Sequence, residues 1–306
     1  MNKYLISVVG PTGIGKTALS IKLAQHFNTE IISADSRQFY KEMQIGTAAP
    51  TKTELEQAKH HFIHHISIED QYSVGDFERD AIALLDKLFK KYQTIVMVGG
   101  SGLFVNAVTN GLDNFPDVDA AVRKQLNDDL ENKGLPYLQE QLKVLDEESY
   151  KTIAIDNPRR VIRALEISIG TGKPYASFLK KKETNRHFKT ITIGLNAERE
   201  IIYSRINKRV DLMVQEGLLD EVKQLLPKQT LNALNTVGYK ELFEYFNGNI
   251  VLDEAIEEIK KNSRRYAKRQ LTWFKKQPGI LWFDYNTDFS EIASAIQANI
   301  ETHETS

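Results

Sequence analysis

The segment that most restricts what this chain can fold into is GPTGIGKT, residues 10–17. It lies between the apolar, β-branched run YLISVV and a stretch where Ala18, Leu19, Ile21, Leu23 and Ala24 recur at helical spacing. Strand, glycine loop and helix are the context in which G-x-x-x-x-G-K-[ST] binds phosphate. The glycines let backbone N–H groups turn inward around phosphate oxygens, and the helix N-terminus adds its positive end. Lys16 supplies a point charge, and the Thr17 hydroxyl can hold Mg²⁺. The bland alternative is a tight glycine turn, but such a match arises by chance in only about one chain in a hundred of this length. A phosphorylated ligand follows from the motif; a nucleoside triphosphate does not.

The flanking pattern extends this start into an α/β fold. The buried-strand run 31–34 stops at Asp35-Ser36, and TIVMV, residues 94–98, stops at Gly99-Gly100. Strands alternating with helices predict a parallel sheet. From Pro116 and the polar DNFPDVD to about residue 182 only helical patterns occur, one capped at Asn157-Pro158 with proline in its first turn. Residues 190–195 then read as a strand, 197–215 and 250–276 as long helices, and 280–284 as a last strand. The expected architecture is a P-loop NTPase-like parallel sheet core in two parts, 1–115 and 186–306, with an all-helical insertion at 116–185. The 306 residues accommodate this division at roughly 150 residues per domain.

Composition narrows the function classes. A hydrophobic content of 41% with 26% charged residues is that of an ordinary globular chain. The absence of cysteine removes disulfides, thiolate catalysis and cysteine-ligated zinc. With no apolar run long enough to span a bilayer and no signal-peptide pattern at MNKYLISVVG, a cytoplasmic protein is expected. The net charge of −1 hides an uneven distribution: residues 260–276 read KKNSRRYAKRQLTWFKK without an acidic residue, and Lys180, Lys181, Lys182, Arg186 and Lys189 form a second cluster. Such runs are either solvated helix faces or a nucleic-acid surface. The lack of interspersed acids weakens the first reading, because a solvated helix ordinarily carries i,i+4 pairs.

An ordinary P-loop NTPase holds Mg²⁺ with a further acid at a strand end, whereas TIVMV ends in Gly-Gly-Ser-Gly. Asp35, followed by Ser36 and Gln38, does stand at a strand end, where open parallel sheets bind ligands. It reads equally as a turn aspartate. His60, His61, His64 and His65 form two i,i+4 pairs, a helical zinc spacing, although without the HExxH acid.

Seven segments together carry a resemblance: GPTGIGKT, DSRQFY (35–40), IGTAAP (45–50), VGGSGLF (98–104), NPRRVIRALE (157–166), VGYKE (237–241) and KRQLTWF (268–274). In order and spacing, over about the first 285 residues, the chain resembles the bacterial tRNA dimethylallyltransferases, also called tRNA isopentenyltransferases. The resemblance implies transfer of a dimethylallyl group from dimethylallyl diphosphate to N6 of adenine 37 in tRNAs reading codons that begin with U, with Mg²⁺ as cofactor. It implies a P-loop that holds diphosphate through Gly10, Pro11, Thr12, Gly13, Ile14, Gly15, Lys16 and Thr17, joined by Arg209, with Thr17 as the metal-binding residue. Asp35 would take the proton from the amine, with Lys16, Thr17 and Arg209 completing the catalytic set. Asp35, Ser36, Arg37, Gln38, Ser101, Arg159, Arg160, Val161, Ile162 and Arg163 would meet the anticodon stem-loop, and His60 would stand near the substrate. Ser101 stands where many members have Thr, and Arg159 where many have Gln; both keep hydrogen-bonding capacity. The expected partners are tRNA and dimethylallyl diphosphate, with no membrane, for a monomer. Rival readings are a prenyltransferase of free AMP, ADP or ATP, a small-metabolite kinase, and a non-catalytic RNA-binding protein. The large helical insert argues against the first.

Overall fold

The computed structural model describes residues 2–179 and 186–305. Lys180, Lys181 and Lys182 of the second basic cluster lie outside the described residues. The chain forms two compact units, one of residues 1–110 with 186–306 and the other of residues 111–185. The boundary expected at 116 lies just inside the second.

The first unit is built on a six-stranded sheet, every pair of which is parallel. Its first strand, β1 (Tyr4–Val9), is followed by α1 (Lys16–His26), β2 (Ile31–Ser33), α2 (Lys52–Gln57), β3 (His60–His61), α3 (Val74–Leu88), β4 (Thr94–Val98) and α4 (Gly102–Asn110). After the second unit the sheet resumes, in the numbering of the whole chain, with β5 (Lys189–Asn196) and β6 (Ile280–Asp284), in the order β3-β2-β4-β1-β5-β6. Val8 of β1 lies opposite Val98 on one side and Ile193 on the other. Every residue of β1 is buried, as a strand covered on both faces requires. Its alternate residues divide between two cores. Tyr4, Ile6 and Val8 pack with Leu19, Leu23 and Ile296, whereas Leu5 and Val9 pack with Ile32, Phe77 and Leu85.

The second unit consists of α5 (Ala120–Leu145), α6 (Glu147–Thr152) and α7 (Pro158–Thr171), with a 3-10 turn at Tyr175–Phe178. Gly134, at φ 78°, and Pro136 kink α5. The Asn157 side chain accepts from the amides of Arg159 and Arg160, and Pro158 occupies the first turn of α7, as the sequence predicts. Leu126, Leu138, Leu142, Val161, Ile162 and Leu165 form this unit's core. Among its described residues there is no strand.

The first unit is completed by α8 (Arg199–Gln215), α9 (Leu218–Leu225), α10 (Tyr239–Phe246), α11 (Leu252–Phe274) and α12 (Phe289–Thr305). A third core joins Val210, Leu218, Val222, Tyr239, Leu242 and Ile259. The four histidines correct the expectation of a helical spacing. His60 and His61 are the edge strand β3, and His64 has φ 48°, so residues four apart do not share a helix face. Among the described residues no group of three or more His, Cys, Asp or Glu could hold a metal ion.

Gly10 marks the exit from β1. It has φ 143°, and a Cβ there would stand 2.6 Å from the Leu195 carbonyl oxygen of β5, a backbone atom that cannot swing away. Gly10→Ala should therefore cost about 1–3 kcal/mol, measured as a loss in denaturant-unfolding free energy with no change in m-value. A loss below the error of the measurement would contradict this close packing of loop and strand.

Candidate active site at the strand ends

The phosphate loop takes its shape from Gly10, Gly13 and Gly15, at φ 143°, 79° and 112°, a region costly for side-chain-bearing residues. α1 begins at Lys16, immediately after Gly15, so its unpaired N–H groups and positive end lie at the loop. Lys16 Nζ donates to Pro11 O at 2.8 Å, and Arg205 Nε donates to Gly13 O at 2.8 Å. Ile14 is buried in the sheet core, so only its backbone is available to a ligand. Gly13, Gly15, Lys16 and Thr17 line a cavity of about 430 Å³ at the carboxyl ends of the strands.

Asp35 follows β2 and lines this same cavity. It also accepts from the Arg37 amide at 3.1 Å, so a turn bond fixes a carboxylate that shares its cavity with the phosphate loop. Ser36 and Ser101 stand 3.3 Å apart through their hydroxyls. Arg37 donates to Ala233 O at 2.8 Å. Gln38 accepts from the Ser33 hydroxyl and donates to the carbonyls of Thr47 and Ala48. The side chains of Arg37 and Gln38 thus hold loops, a role the sequence did not suggest.

Arg209 projects from α8 into the cavity and donates to Ala48 O at 3.1 Å. The loop carrying Ala48 is fastened by Glu221 of α9. Its carboxylate accepts from the amides of Gln44, Ile45 and Gly46 at 3.0, 2.7 and 2.9 Å, and from the Tyr239 hydroxyl at 2.6 Å. Gly46 permits this, since a Cβ there would lie 2.6 Å from the Tyr239 ring. A second cavity of about 380 Å³ adjoins Ser36, Arg37, Val237, Tyr266 and Arg269. Thr12, Asp35, Thr47 and Arg209 line both cavities.

Burial lowers the Lys16 pKa to about 8; Asp35 opposes that shift and Arg209 adds to it. Arg209 is lowered by burial too, again opposed chiefly by Asp35. The Tyr266 hydroxyl is raised by burial, then by Asp35. His60 lines the first cavity; its Nδ1 lies 2.8 Å from Ala58 O, its Nε2 is buried without a partner, and burial lowers its pKa. The imidazole thus stands at the cavity wall with its second nitrogen making no hydrogen bond.

The basic run on α11 divides in two. Lys260 pairs with Asp211 and Glu257, and Lys261 with Glu258, so acids outside the run neutralise its first turn. Arg265, Lys268, Arg269, Thr272, Trp273 and Lys276 instead line an exposed groove. Arg186 pairs with Glu78 and donates to Ala107 O, and Lys189 donates to His303 O, so these members of the second cluster serve the fold. In α7, Arg159 and Arg160 are exposed. Val161 and Ile162 correct the expectation of RNA contact: both are in the core, so their side chains are unavailable. Arg163 bonds Glu166, itself buried and paired with Arg123, and lies over the Phe115 ring. It braces the helical unit. Glu221, Gln270 and Tyr266 are site residues that sequence reasoning did not single out, although Gln270 lies within KRQLTWF.

The chain matches the family model described as IPP transferase over residues 38–277. It is 61% identical to tRNA dimethylallyltransferase of Christiangramia forsetii, with 99% of this chain and 100% of that protein covered. It is 56% identical to tRNA dimethylallyltransferase of Flavobacterium johnsoniae, covering 98% and 99%. Among solved structures, a tRNA isopentenylpyrophosphate transferase from Bacillus halodurans superposes with TM-score 0.71 at 39% identity, over 99% of this chain and 96% of that one. A eukaryotic dimethylallyltransferase described as acting on tRNA superposes with TM-score 0.82 at 29% identity, over 98% and 80%.

The lowered Lys16 pKa makes a signed prediction. Below about 8 the ammonium is charged and can bind an anion; above it the proton is lost and the attraction with it. Affinity for inorganic diphosphate should therefore fall as pH rises through that value. Lys16→Met should remove this component, leaving only the ligand's own titration, as read by calorimetric titration across pH. Parallel native and variant profiles would contradict it.

Proposed function

Because the chain belongs to the IPP transferase family, we propose that it transfers a dimethylallyl group from dimethylallyl diphosphate to N6 of adenine 37 in tRNAs reading codons that begin with U, releasing diphosphate. The observation that carries this reading is the meeting of the two cavities at Thr12, Asp35, Thr47 and Arg209. One side offers cations and loop amides to diphosphate. The other is open to a base, and Asp35 stands at the junction.

The chemistry assigns a role to each group. The bond from the amine nitrogen to the allylic C1 forms as the bond from C1 to the diphosphate oxygen breaks. Negative charge gathers on the leaving group, where Lys16, Arg209 and the P-loop amides meet it. The adenine amine is a weak nucleophile because its lone pair is delocalised into the ring. Asp35 accepts a hydrogen bond from it and takes its proton as the new bond forms. The Thr17 hydroxyl lines the same cavity and would hold Mg²⁺ together with phosphate oxygens and water, a donor set that suits this ion. The absence of a carboxylate cage among the described residues agrees with a metal held largely by its substrate. When bound, Mg²⁺ supplies charge neutralisation on the diphosphate.

For RNA, the exposed Arg159 and Arg160 of α7 and the groove residues of α11 are the available contacts. The base must leave its stack to enter a pocket, and phosphate contacts on these faces offset that cost. The reading takes the chain as a monomer. No helix among the described residues is long and apolar enough to cross a membrane, and a tRNA substrate fits work in the cytoplasm.

Incubation with labelled dimethylallyl diphosphate and either tRNA or AMP tests the reading: label should enter tRNA and not AMP. Equal labelling of AMP would contradict it. Asp35→Asn should lower turnover about 10²-fold to 10⁴-fold while inorganic diphosphate still binds. Near-normal turnover would remove Asp35 as the base. On the RNA side, the logarithm of affinity should fall linearly with the logarithm of salt. Arg160→Ala or Lys268→Ala should each reduce that slope by about one. Unchanged slopes would make these faces merely solvated.

A further inference from the structure

Gln270 lies on the buried side of α11 and is 5% exposed. Its Oε1 accepts from the Thr12 amide at 2.9 Å, and its Nε2 donates to Gly100 O at 2.9 Å. One partner can only donate and the other only accept, so the amide has a single satisfactory orientation. Thr12 belongs to the phosphate loop, and Gly100 to the loop after β4 that carries Ser101. A Cβ on Gly100 would stand 2.3 Å from Gln270 Nε2 and 3.7 Å from Lys16 Nζ, so this glycine is where amide, lysine and loop converge.

One turn further along α11, Trp273 packs so closely on Gly102 that a Cβ there would lie 2.2 Å from the indole. Trp273 is nevertheless 37% exposed and lines the groove with Arg265, Lys268, Arg269 and Lys276. The same short length of helix therefore presents a basic, aromatic surface to solvent and grips both ligand loops from behind.

We infer that Gln270 couples the two substrate sites, so that RNA seated on α11 tightens the hold of the phosphate loop on diphosphate. The inference rests on the functional reading above. RNA favours the placement of α11 that completes its surface; diphosphate favours the placement of Thr12 and Gly100 that completes its cradle. Gln270 makes these one placement, and the effect is reciprocal by linkage. Gln270 is a positioning residue: its amide reaches the loops, not the reacting atoms. A merely structural pin would weaken diphosphate binding equally with and without RNA.

The test is calorimetric titration of the full chain with inorganic diphosphate and Mg²⁺, in the absence and presence of a saturating unmodified anticodon stem-loop RNA. For the native chain RNA should strengthen diphosphate binding about 5-fold or more. In Gln270→Met, close in size but without either hydrogen bond, that ratio should collapse to about one, with RNA affinity within about two-fold of native. Gln270→Glu keeps the shape and the acceptor for Thr12 but sets an oxygen against Gly100 O. It should also lose the ratio, and it carries the test if the methionine variant does not fold. A native ratio of one, or a folded variant that keeps the native ratio, overturns the coupling. A native chain that binds neither probe overturns the functional reading itself, and the coupling with it.

Discussion

The constraint on which the rest of the site depends is the placement of Lys16 and Arg209 at one cavity, both partly desolvated, with Asp35 as the negative charge that acts on both. Taking a cation out of water is costly unless a partner replaces the lost hydration. Here the replacement is incomplete: Lys16 reaches the Pro11 carbonyl and Arg209 the Ala48 carbonyl. The cavity therefore has capacity for an anion. The same capacity serves a reaction whose leaving group gains charge, since dipoles and cations already in place need no reorganisation as it departs.

Holding that arrangement falls to side chains that reach backbone. The Glu221 carboxylate gathers three consecutive amides of the 44–46 segment, and Gln38 takes the next two carbonyls. Arg209 then closes on a loop already fixed from both sides. Gln270 does the same between the phosphate loop and the loop after β4. Polar side chains satisfied in this way, of which Gln270 is buried, rigidify the segment they bind. The loops that line the two cavities are consequently set by α8, α9 and α11, elements that follow in sequence most of what they position.

Local pattern was enough for much of the fold. The β-branched runs before GPTGIGKT and Gly99-Gly100 are buried on both faces and read as continuous apolar segments. Asn157-Pro158 signals its helix start by cap chemistry alone. β3 was illegible because two histidines have no apolar signature, and their i,i+4 relation to His64 and His65 suggested a helix. At the site, the P-loop was legible as a motif and Asp35 by its place at a strand end, whereas Arg209, inside α8, entered only through the family resemblance. Glu221 and Gln270 act across long sequence separations, on amides and carbonyls that carry no side-chain signature. The α7 segment misled for a related reason: its motif contains both exposed arginines and the buried Val161 and Ile162, and burial is decided by packing within the helical unit.

The most direct measurement is a crystal structure of the chain with Mg²⁺, inorganic diphosphate and an unmodified anticodon stem-loop RNA. The account predicts diphosphate on the phosphate loop against Lys16 and Arg209, and the exocyclic amine of an unstacked adenine within hydrogen-bond distance of the Asp35 carboxylate. Diphosphate bound there with the adenine held away from Asp35, or an adenine at Asp35 with diphosphate bound elsewhere, would contradict the claim that the two cavities form one reaction site.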